Sequence, residues 1–165
     1  MFREANEAKG RGEKMKPVLL LRITSIISLL FAVLHTMGGA NSWSPVGETD
    51  VLRAMRSYHF DAGGVSRTYL DFYLGLGFTV GLFLLLQAVL LWQLAAIAKV
   101  DPVRIRPMIV SFFAASVVCA FLSWKFIFAA PAIFSAVIAI LLALTFYAAG
   151  KRHAQSVESS LRTSP

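Results

Sequence analysis

The sequence has little charge and only one cysteine. Charged residues fill 15% of its 165 positions, whereas soluble domains average about 25%. Something other than water must therefore solvate much of the surface of this chain. Cys119 lies in the middle of an apolar run, and a lone cysteine excludes an intrachain disulfide, a CxxC redox pair and a cysteine-based zinc site.

The sequence is instead rich in long apolar runs. Hydrophobic residues make up 57% of the chain, and four stretches are long enough to cross about 30 Å of hydrocarbon as helices. These predicted spans cover residues 18–38, 69–98, 108–124 and 131–149. The runs lack the alternation of barrel strands, so they predict an all-α transmembrane protein.

The basic residues predict the orientation of the chain. Outside the spans, eleven Lys and Arg residues lie on the side of both termini, and four lie on the opposite, outer side. The eleven are Arg3, Lys9, Arg11, Lys14, Lys16, Lys99, Arg104, Arg106, Lys151, Arg152 and Arg162, and the four are Arg53, Arg56, Arg67 and Lys125. Because cytoplasmic segments carry the excess of basic residues, both termini are predicted to face the cytoplasm. The net charge of +7 belongs to these short segments and not to one polar face, which argues against nucleic-acid binding.

The spans divide the chain into three regions. Residues 1–16 form a basic cytoplasmic segment, and residues 17–150 form a four-span membrane domain. Residues 151–165 form a cytoplasmic tail that we predict to be disordered. The lipid bilayer is thus the first partner that the sequence predicts.

A competing interpretation makes the first span a signal peptide. Its small residues Gly38-Gly39-Ala40 would form the cleavage site, and the mature chain would begin at Asn41. The apolar core is long for a signal peptide, and polar His35 and Thr36 precede the site. A retained first span is the favoured interpretation.

Each predicted span has a stripe of small residues, spaced four residues apart in spans two to four and three or four apart in span one. Because lipid gives helices no hydrophobic drive to associate, such stripes favour close helix packing. The predicted packing residues are Ser25, Ser28 and Ala32 in span one, Gly77 and Gly81 in span two, Ser111, Ala115, Cys119 and Ser123 in span three, and Ser135, Ala139 and Ala143 in span four. We expect an antiparallel four-helix bundle in which Cys119 is a small buried packing residue.

A loop of about thirty residues joins spans one and two on the outer side, and long loops of this kind often carry structure of their own. The segment Glu48–Phe60 is predicted to form a short amphipathic helix, because its apolar residues recur at helical spacing. These apolar residues are Val51, Leu52, Met55 and Tyr58. Thr49 or Asp50 would cap the helix, and Ala62-Gly63-Gly64 would end it.

Ionisable residues gather at the outer ends of spans one and two. His35 lies near the end of span one, whereas Arg67, Asp71 and Tyr73 lie at the start of span two. Because charged groups are costly near the membrane interior, these four are the candidate ligand-binding residues. A hydrogen bond between His35 and Asp71, with Arg67 as a second partner of the carboxylate, would pin the loop. The same groups would alternatively bind a polar headgroup or a small ligand, or transfer a proton in catalysis.

The sequence predicts neither a metal nor another cofactor. Haem ligation by two histidines needs a pair at suitable depth, but His59 lies in the loop and His153 in the tail. A metal site built from His35, His59, Asp61 and Asp71 would lack a tight motif such as HExxH.

Three segments carry a resemblance to known proteins. His35-Thr-Met-Gly-Gly39, Arg67-Thr-Tyr-Leu-Asp-Phe-Tyr-Leu-Gly-Leu-Gly77 and Leu90-Leu-Trp-Gln-Leu-Ala95 resemble segments of uncharacterised bacterial four-helix integral membrane proteins. The general plan of residues 17–150 is also similar to that of DoxX-like proteins. The resemblance implies a four-helix bundle in the bacterial cytoplasmic (inner) membrane, and it supplies no catalytic residues.

Three functional hypotheses follow. The leading one is a non-enzymatic membrane protein whose outer-face polar pocket binds a lipid headgroup, a small ligand or a partner protein. The alternative is a membrane enzyme or redox accessory subunit acting on a lipid or quinone, with His35 and Asp71 handling protons. The third is a small transporter, which would need a homo-oligomer to build an aqueous path from four helices.

Overall fold

A computed structural model describes the backbone of residues 2–44 and 46–162 and the side chains of residues 16–44 and 46–150. The helices are α1 (Phe2–Gly38), α2 (Asp50–Ser57), α3 (Tyr69–Val100), α4 (Arg106–Phe126) and α5 (Ala129–Arg162), the strands are β1 (His59–Asp61) and β2 (Ser66–Thr68), and a 3-10 helix covers Gly39–Asn41. The backbone of α5 thus continues through residues 151–162, for which the sequence predicts a disordered tail. Residues 163–165 of that tail lie outside the described part of the chain.

Four segments are long and apolar enough to cross a membrane. They are Lys16–Asn41, Tyr69–Val100, Arg106–Phe126 and Ala129–Gly150, and they coincide with the four spans predicted from the sequence. In the most apolar window of Tyr69–Val100, only 17% of the residues are buried in protein. Apolar surface exposed on this scale needs lipid around it and not water, so the helices are those of a multi-pass membrane protein.

The chain divides into two compact units. The first combines Met1–Ser28 with Gln87–Pro165, and the second is Leu29–Leu86. The first unit contains the packed helices α4 and α5. The second unit contains α2, the hairpin and all four candidate ligand-binding residues.

In the first unit, α4 packs along α5. The buried residues of α4 are Ile109, Ser116 and Ser123, which are spaced seven residues apart. A seven-residue spacing keeps one side of a helix turned toward its neighbour over several turns. Ser135 and Ala139, two of the predicted packing residues, are buried on α5.

Of the four small residues in the predicted stripe on α4, only the last is buried within the chain. Ser111, Ala115 and Cys119 are exposed, so the prediction that Cys119 is a buried packing residue is wrong. The physical reason is helix geometry, because a four-residue step rotates farther around the helix than a seven-residue step. Ser123, the last residue of the predicted stripe, is buried, and so is Ser116, which the stripe does not contain.

Polar side chains join α1 to α3 within the first unit. The Ser25 hydroxyl donates to the carbonyl of Ala88 at 2.7 Å, and the Gln87 amide donates to the Ser28 hydroxyl at 3.1 Å. Interhelical hydrogen bonds in a membrane are worth up to about 1–2 kcal/mol each. These two bonds lie on adjacent turns and therefore fix the register of the two helices.

In the second unit, α2 begins and ends inside the predicted helical segment. The Thr49 hydroxyl accepts a hydrogen bond from the backbone N–H of Leu52 at 3.2 Å, so Thr49 is the N-cap. Leu52 is buried, whereas Val51 and Tyr58 are exposed. The helix ends at Ser57, before the predicted boundary.

An antiparallel β-hairpin, which the sequence did not predict, follows α2. His59 pairs with Thr68, Phe60 with Arg67 and Asp61 with Ser66. Gly63 and Gly64 turn the chain with φ of 70° and 88°, a backbone conformation that glycine adopts without steric cost. These glycines therefore form a hairpin turn. The sequence-based prediction that they end the helix is wrong.

Candidate functional site

The end of α1 folds back on itself through two residues with left-handed backbone. Ser42 and Trp43 have φ of 50° and 48°, which is costly for residues that carry a Cβ. The backbone N–H of Ser42 donates to the carbonyl of Gly39 and that of Trp43 to the carbonyl of Gly38. These bonds satisfy carbonyls that a helix leaves free at its C-terminal end, and they direct the indole of Trp43 back toward α1.

The indole of Trp43 occupies space that three glycines leave open. A Cβ on Gly38 would lie 2.9 Å from Cδ1 of Trp43, one on Gly39 would lie 2.9 Å from Cη2, and one on Gly77 would overlap the six-membered ring. Any larger residue at these positions would displace the ring. The absence of a side chain at these three positions therefore makes room for the indole, and at Gly39 also for the ring of Phe78.

Aromatic side chains surround the same indole. The ring centroids of Trp43 and Phe78 are 5.0 Å apart and those of Trp43 and Tyr73 are 6.0 Å apart, both in edge-to-face geometry. Such pairs contribute about 0.5–1.5 kcal/mol beyond the burial of their surface. We call His35, Trp43, Tyr73, Gly77 and Phe78 the Trp43 cluster.

Two hydrogen bonds tie the Trp43 cluster to the helix backbones. Nε1 of Trp43 donates to the carbonyl of His35 at 2.8 Å. Nε2 of His35 lies 2.9 Å from the carbonyl oxygen of Gly77, so this nitrogen carries the proton and donates. His35 thus joins the end of α1 to α3, and its carbonyl receives the tryptophan.

An open groove of about 400 Å³ lies next to the Trp43 cluster. Its size falls within the roughly 300–1,000 Å³ of small-ligand sites. The lining residues are Ala32, Val33, Thr36, Met37, Phe78, Gly81, Leu82 and Leu85. Only Thr36 among them has a polar side chain, so the groove suits an apolar occupant.

The hydroxyl of Thr36 differs from the other threonine hydroxyls of the described membrane segments. Thr24, Thr79 and Thr145 each donate to the backbone carbonyl four residues earlier, at 2.7–2.8 Å. Thr36 makes no such bond, nor any other hydrogen bond within the described part of the chain. A hydroxyl without a partner in an apolar setting is costly and favours a ligand that can hydrogen-bond to it.

Asp71 helps to cap the N-terminus of α3 in this structure. Its Oδ2 accepts a hydrogen bond from the backbone N–H of Thr68 at 2.8 Å, and Thr68 Oγ1 accepts one from the N–H of Asp71 at 3.1 Å. This reciprocal pair is a capping box, which satisfies two free N–H groups at the start of α3. The carboxylate also lies where the positive end of the helix dipole favours it.

The structure does not bring the four predicted ligand-binding residues together. Among the described residues, no hydrogen bond joins His35 to Asp71, and Arg67 forms no ion pair with that carboxylate. His35 and Tyr73 both contact Trp43, with the imidazole and indole centroids 5.4 Å apart. The predicted polar pocket is therefore replaced by an apolar groove beside an aromatic cluster.

Two signals in the sequence point to the capping role of Asp71 and to the packing of Trp43, neither of which the sequence-based prediction included. Thr68-Tyr-Leu-Asp71 has the spacing of a capping box before an apolar run, which assigns Asp71 to the helix start. Trp43 follows Gly38 and Gly39 closely, and a bulky ring next to small residues indicates local packing. No local sequence pattern predicts the groove, because its lining residues lie on two helix segments that are far apart in the sequence.

The described side chains offer no other obvious centre for chemistry. Among them, no group of three or more His, Cys, Asp and Glu residues could hold a metal ion. The site therefore consists of the Trp43 cluster and the groove. Comparison with protein-family models, with curated proteins and with solved structures finds no match to this chain.

Proposed function

We propose that this protein binds a lipid-class amphiphile in the groove between α1 and α3. The observation that carries the proposal is the lining of that groove, which is apolar except for the hydroxyl of Thr36. An apolar tail would fill the groove, and a hydrogen-bonding group of the same molecule would pair with Thr36. The Trp43 cluster would hold the two helix segments apart at the distance that the tail requires.

A lipid is the occupant that the surroundings favour. The lining residues belong to Lys16–Asn41 and Tyr69–Val100, two segments apolar enough to lie in the membrane. A groove that opens along such segments meets hydrocarbon chains before it meets any water-soluble molecule. Lipid binding in the groove would need no catalytic group. This agrees with the structure, in which the Asp71 carboxylate caps α3 and does not line the groove.

The setting of this site is also a proposal. We infer an antiparallel four-helix bundle in a bacterial cytoplasmic membrane, with both termini in the cytoplasm, and the similarity to DoxX-like proteins is part of the same inference. The excess of basic residues on the side of the termini supports the orientation. In this setting the groove opens in the outer half of the bilayer.

The test is the amount of lipid that the purified protein retains. Val33→Trp should fill the groove, because Val33 lines it and is 47% exposed. Leu30→Trp is the matched control, since Leu30 is 50% exposed on the same helix and does not line the groove. We expect native mass spectrometry from gently solubilised membranes to show a bound lipid in the wild type and in Leu30→Trp, and a several-fold loss in Val33→Trp.

A second variant tests the polar contact. Thr36→Val keeps the shape of the side chain and removes the hydroxyl, so it should weaken retention less than Val33→Trp does. Equal lipid retention by wild type, Val33→Trp and Thr36→Val would refute the proposal. A dimer that Val33→Trp dissociates would show instead that a second copy of the chain occupies the groove.

A further inference from the structure

The β-hairpin has two chemically different faces. Directly opposed residues of an antiparallel pair share a face, and successive residues alternate between faces. The pairs His59–Thr68 and Asp61–Ser66 form one face, where Nδ1 of His59 lies 3.3 Å from the hydroxyl of Ser66. The pair Phe60–Arg67 lies on the opposite face.

The face of Phe60 continues as a row of aromatic rings. Phe60 lies 4.9 Å from Tyr69 and 5.4 Å from Phe72 between ring centroids, and Tyr58 lies 5.6 Å from Tyr69. Tyr58, Tyr69 and Phe72 are exposed despite these contacts. We call Tyr58, Phe60, Tyr69 and Phe72 the aromatic row.

The aromatic row is continuous with the apolar surface of a membrane-spanning helix. Tyr69 and Phe72 belong to the first turn of α3, and Leu76 and Phe83 follow Phe72 at helical spacing. Leu76 and Phe83 are also exposed, as side chains that face lipid must be. The hairpin thus extends this surface just beyond the end of the span, where tyrosine and tryptophan rings collect in membrane proteins.

Arg67 adds a positive charge to the same face. Arg53 and Arg56 are paired with Asp50 and Glu48, but Arg67 forms no ion pair among the described residues. A guanidinium group binds phosphate through two parallel hydrogen bonds. An arginine without an ion pair, beside aromatic rings at the end of a span, lies at the depth of the lipid phosphates and carries the opposite charge.

We propose that the hairpin lies in the membrane interface with its aromatic row toward the acyl chains and Arg67 bound to a lipid phosphate. The opposite face, with His59, Asp61 and Ser66, contacts water. The hairpin therefore anchors the loop between the first two spans to the bilayer surface. This inference is independent of the groove and of the direction in which the chain crosses the membrane.

Spin labels on the two faces test the placement. The chain has one cysteine, so Cys119→Ser gives a background in which Tyr58→Cys reports the aromatic row and Ser66→Cys, as its matched control, reports the polar face. Both positions are exposed and accept a label. In vesicles of phosphatidylcholine we expect the label at 58 to collide with oxygen several-fold more, relative to a water-soluble nickel complex, than the label at 66. Equal access of the nickel complex to both labels would overturn the proposal.

A second measurement tests Arg67 with the aromatic row intact. Carbon-13 labelled arginine in the same vesicles, in phosphate-free buffer, reports lipid phosphorus near each guanidinium by solid-state NMR dephasing. We expect Arg67→Gln to remove a dephased component, whereas Arg56→Gln, which removes a paired arginine, should leave the dephasing unchanged. An unchanged dephasing in Arg67→Gln would overturn the phosphate contact.

Discussion

Trp43 shows how one residue shapes the end of a helix. Its left-handed backbone is unfavourable by roughly 1–2 kcal/mol, and the same holds for Ser42 before it. The contacts of the indole offset this cost, since it donates to the carbonyl of His35 and packs on Tyr73 and Phe78. The bend and the ring therefore depend on each other.

We expect Trp43→Ala to lower the free energy of unfolding by about 3 kcal/mol, because it removes a large side chain and leaves a cavity. Trp43→Phe should cost less, since the ring stays and mainly the hydrogen bond to His35 is lost. Trp124→Ala is the control, because Trp124 is 76% exposed. Denaturation in mixed micelles measures all three, and a similar loss in Trp43→Ala and Trp124→Ala would contradict the packing role.

At the scale of the element, α3 depends on the capping box at its start. Thr68 and Asp71 exchange side-chain hydrogen bonds with each other's backbone N–H groups. A cap of this kind is worth about 1 kcal/mol. The role needs an oxygen acceptor at position 71 and does not need a group that transfers protons.

We expect Thr68→Ala and Asp71→Ala each to lower the free energy of unfolding by about 1 kcal/mol, with a double variant that costs less than their sum. Asp71→Asn should lose less than Asp71→Ala, because the amide oxygen still accepts the bond from Thr68. The same micelle denaturation measures the cycle. Additive losses from Thr68→Ala and Asp71→Ala would show that the two side chains do not act together.

The elements differ in how far the sequence predicts them. The four long helices follow from hydropathy, because an unbroken apolar run in lipid must satisfy its own backbone. The hairpin escaped prediction because three-residue strands are too short to show alternation, and Gly63-Gly64 suits a helix end as well as a turn. The exposed Cys119 shows a further limit, since small residues recur on more than one face of a helix.

At the scale of the whole molecule, the structure brings together two of the four predicted ligand-binding residues and leaves the other two apart from them. The sequence placed the site at the outer ends of spans one and two, and His35 and Tyr73 do lie in the Trp43 cluster. Local hydrogen bonds account for the rest, because the Asp71 carboxylate accepts from the backbone N–H of Thr68 and Nε2 of His35 donates to the carbonyl of Gly77. The groove depends on side chains from two helices, and no local pattern contains that information.

Orientation is the prediction that belongs to the whole chain. In the Cys119→Ser background, Val46→Cys places a single thiol in the loop before α3, and Val100→Cys places one at the C-terminal end of α3; both residues are exposed. With both termini in the cytoplasm, a membrane-impermeant maleimide should label position 46 in intact cells. Position 100 should react only after permeabilisation. The opposite pattern would reverse the orientation, and labelling of both in intact cells would contradict a single crossing by α3.

The two hydrogen bonds of His35 also have a consequence for the order of folding. The bond from Trp43 spans eight residues of chain, whereas the bond to Gly77 spans 42. The entropic cost of closing a loop rises with its length, so the tryptophan turn can form as soon as its own span is in the bilayer. When α3 inserts later, the indole is already in position. Gly77, which has no side chain, leaves room on α3 for this ring. Early local order of this kind shortens the search by which a long loop brings two membrane helices together.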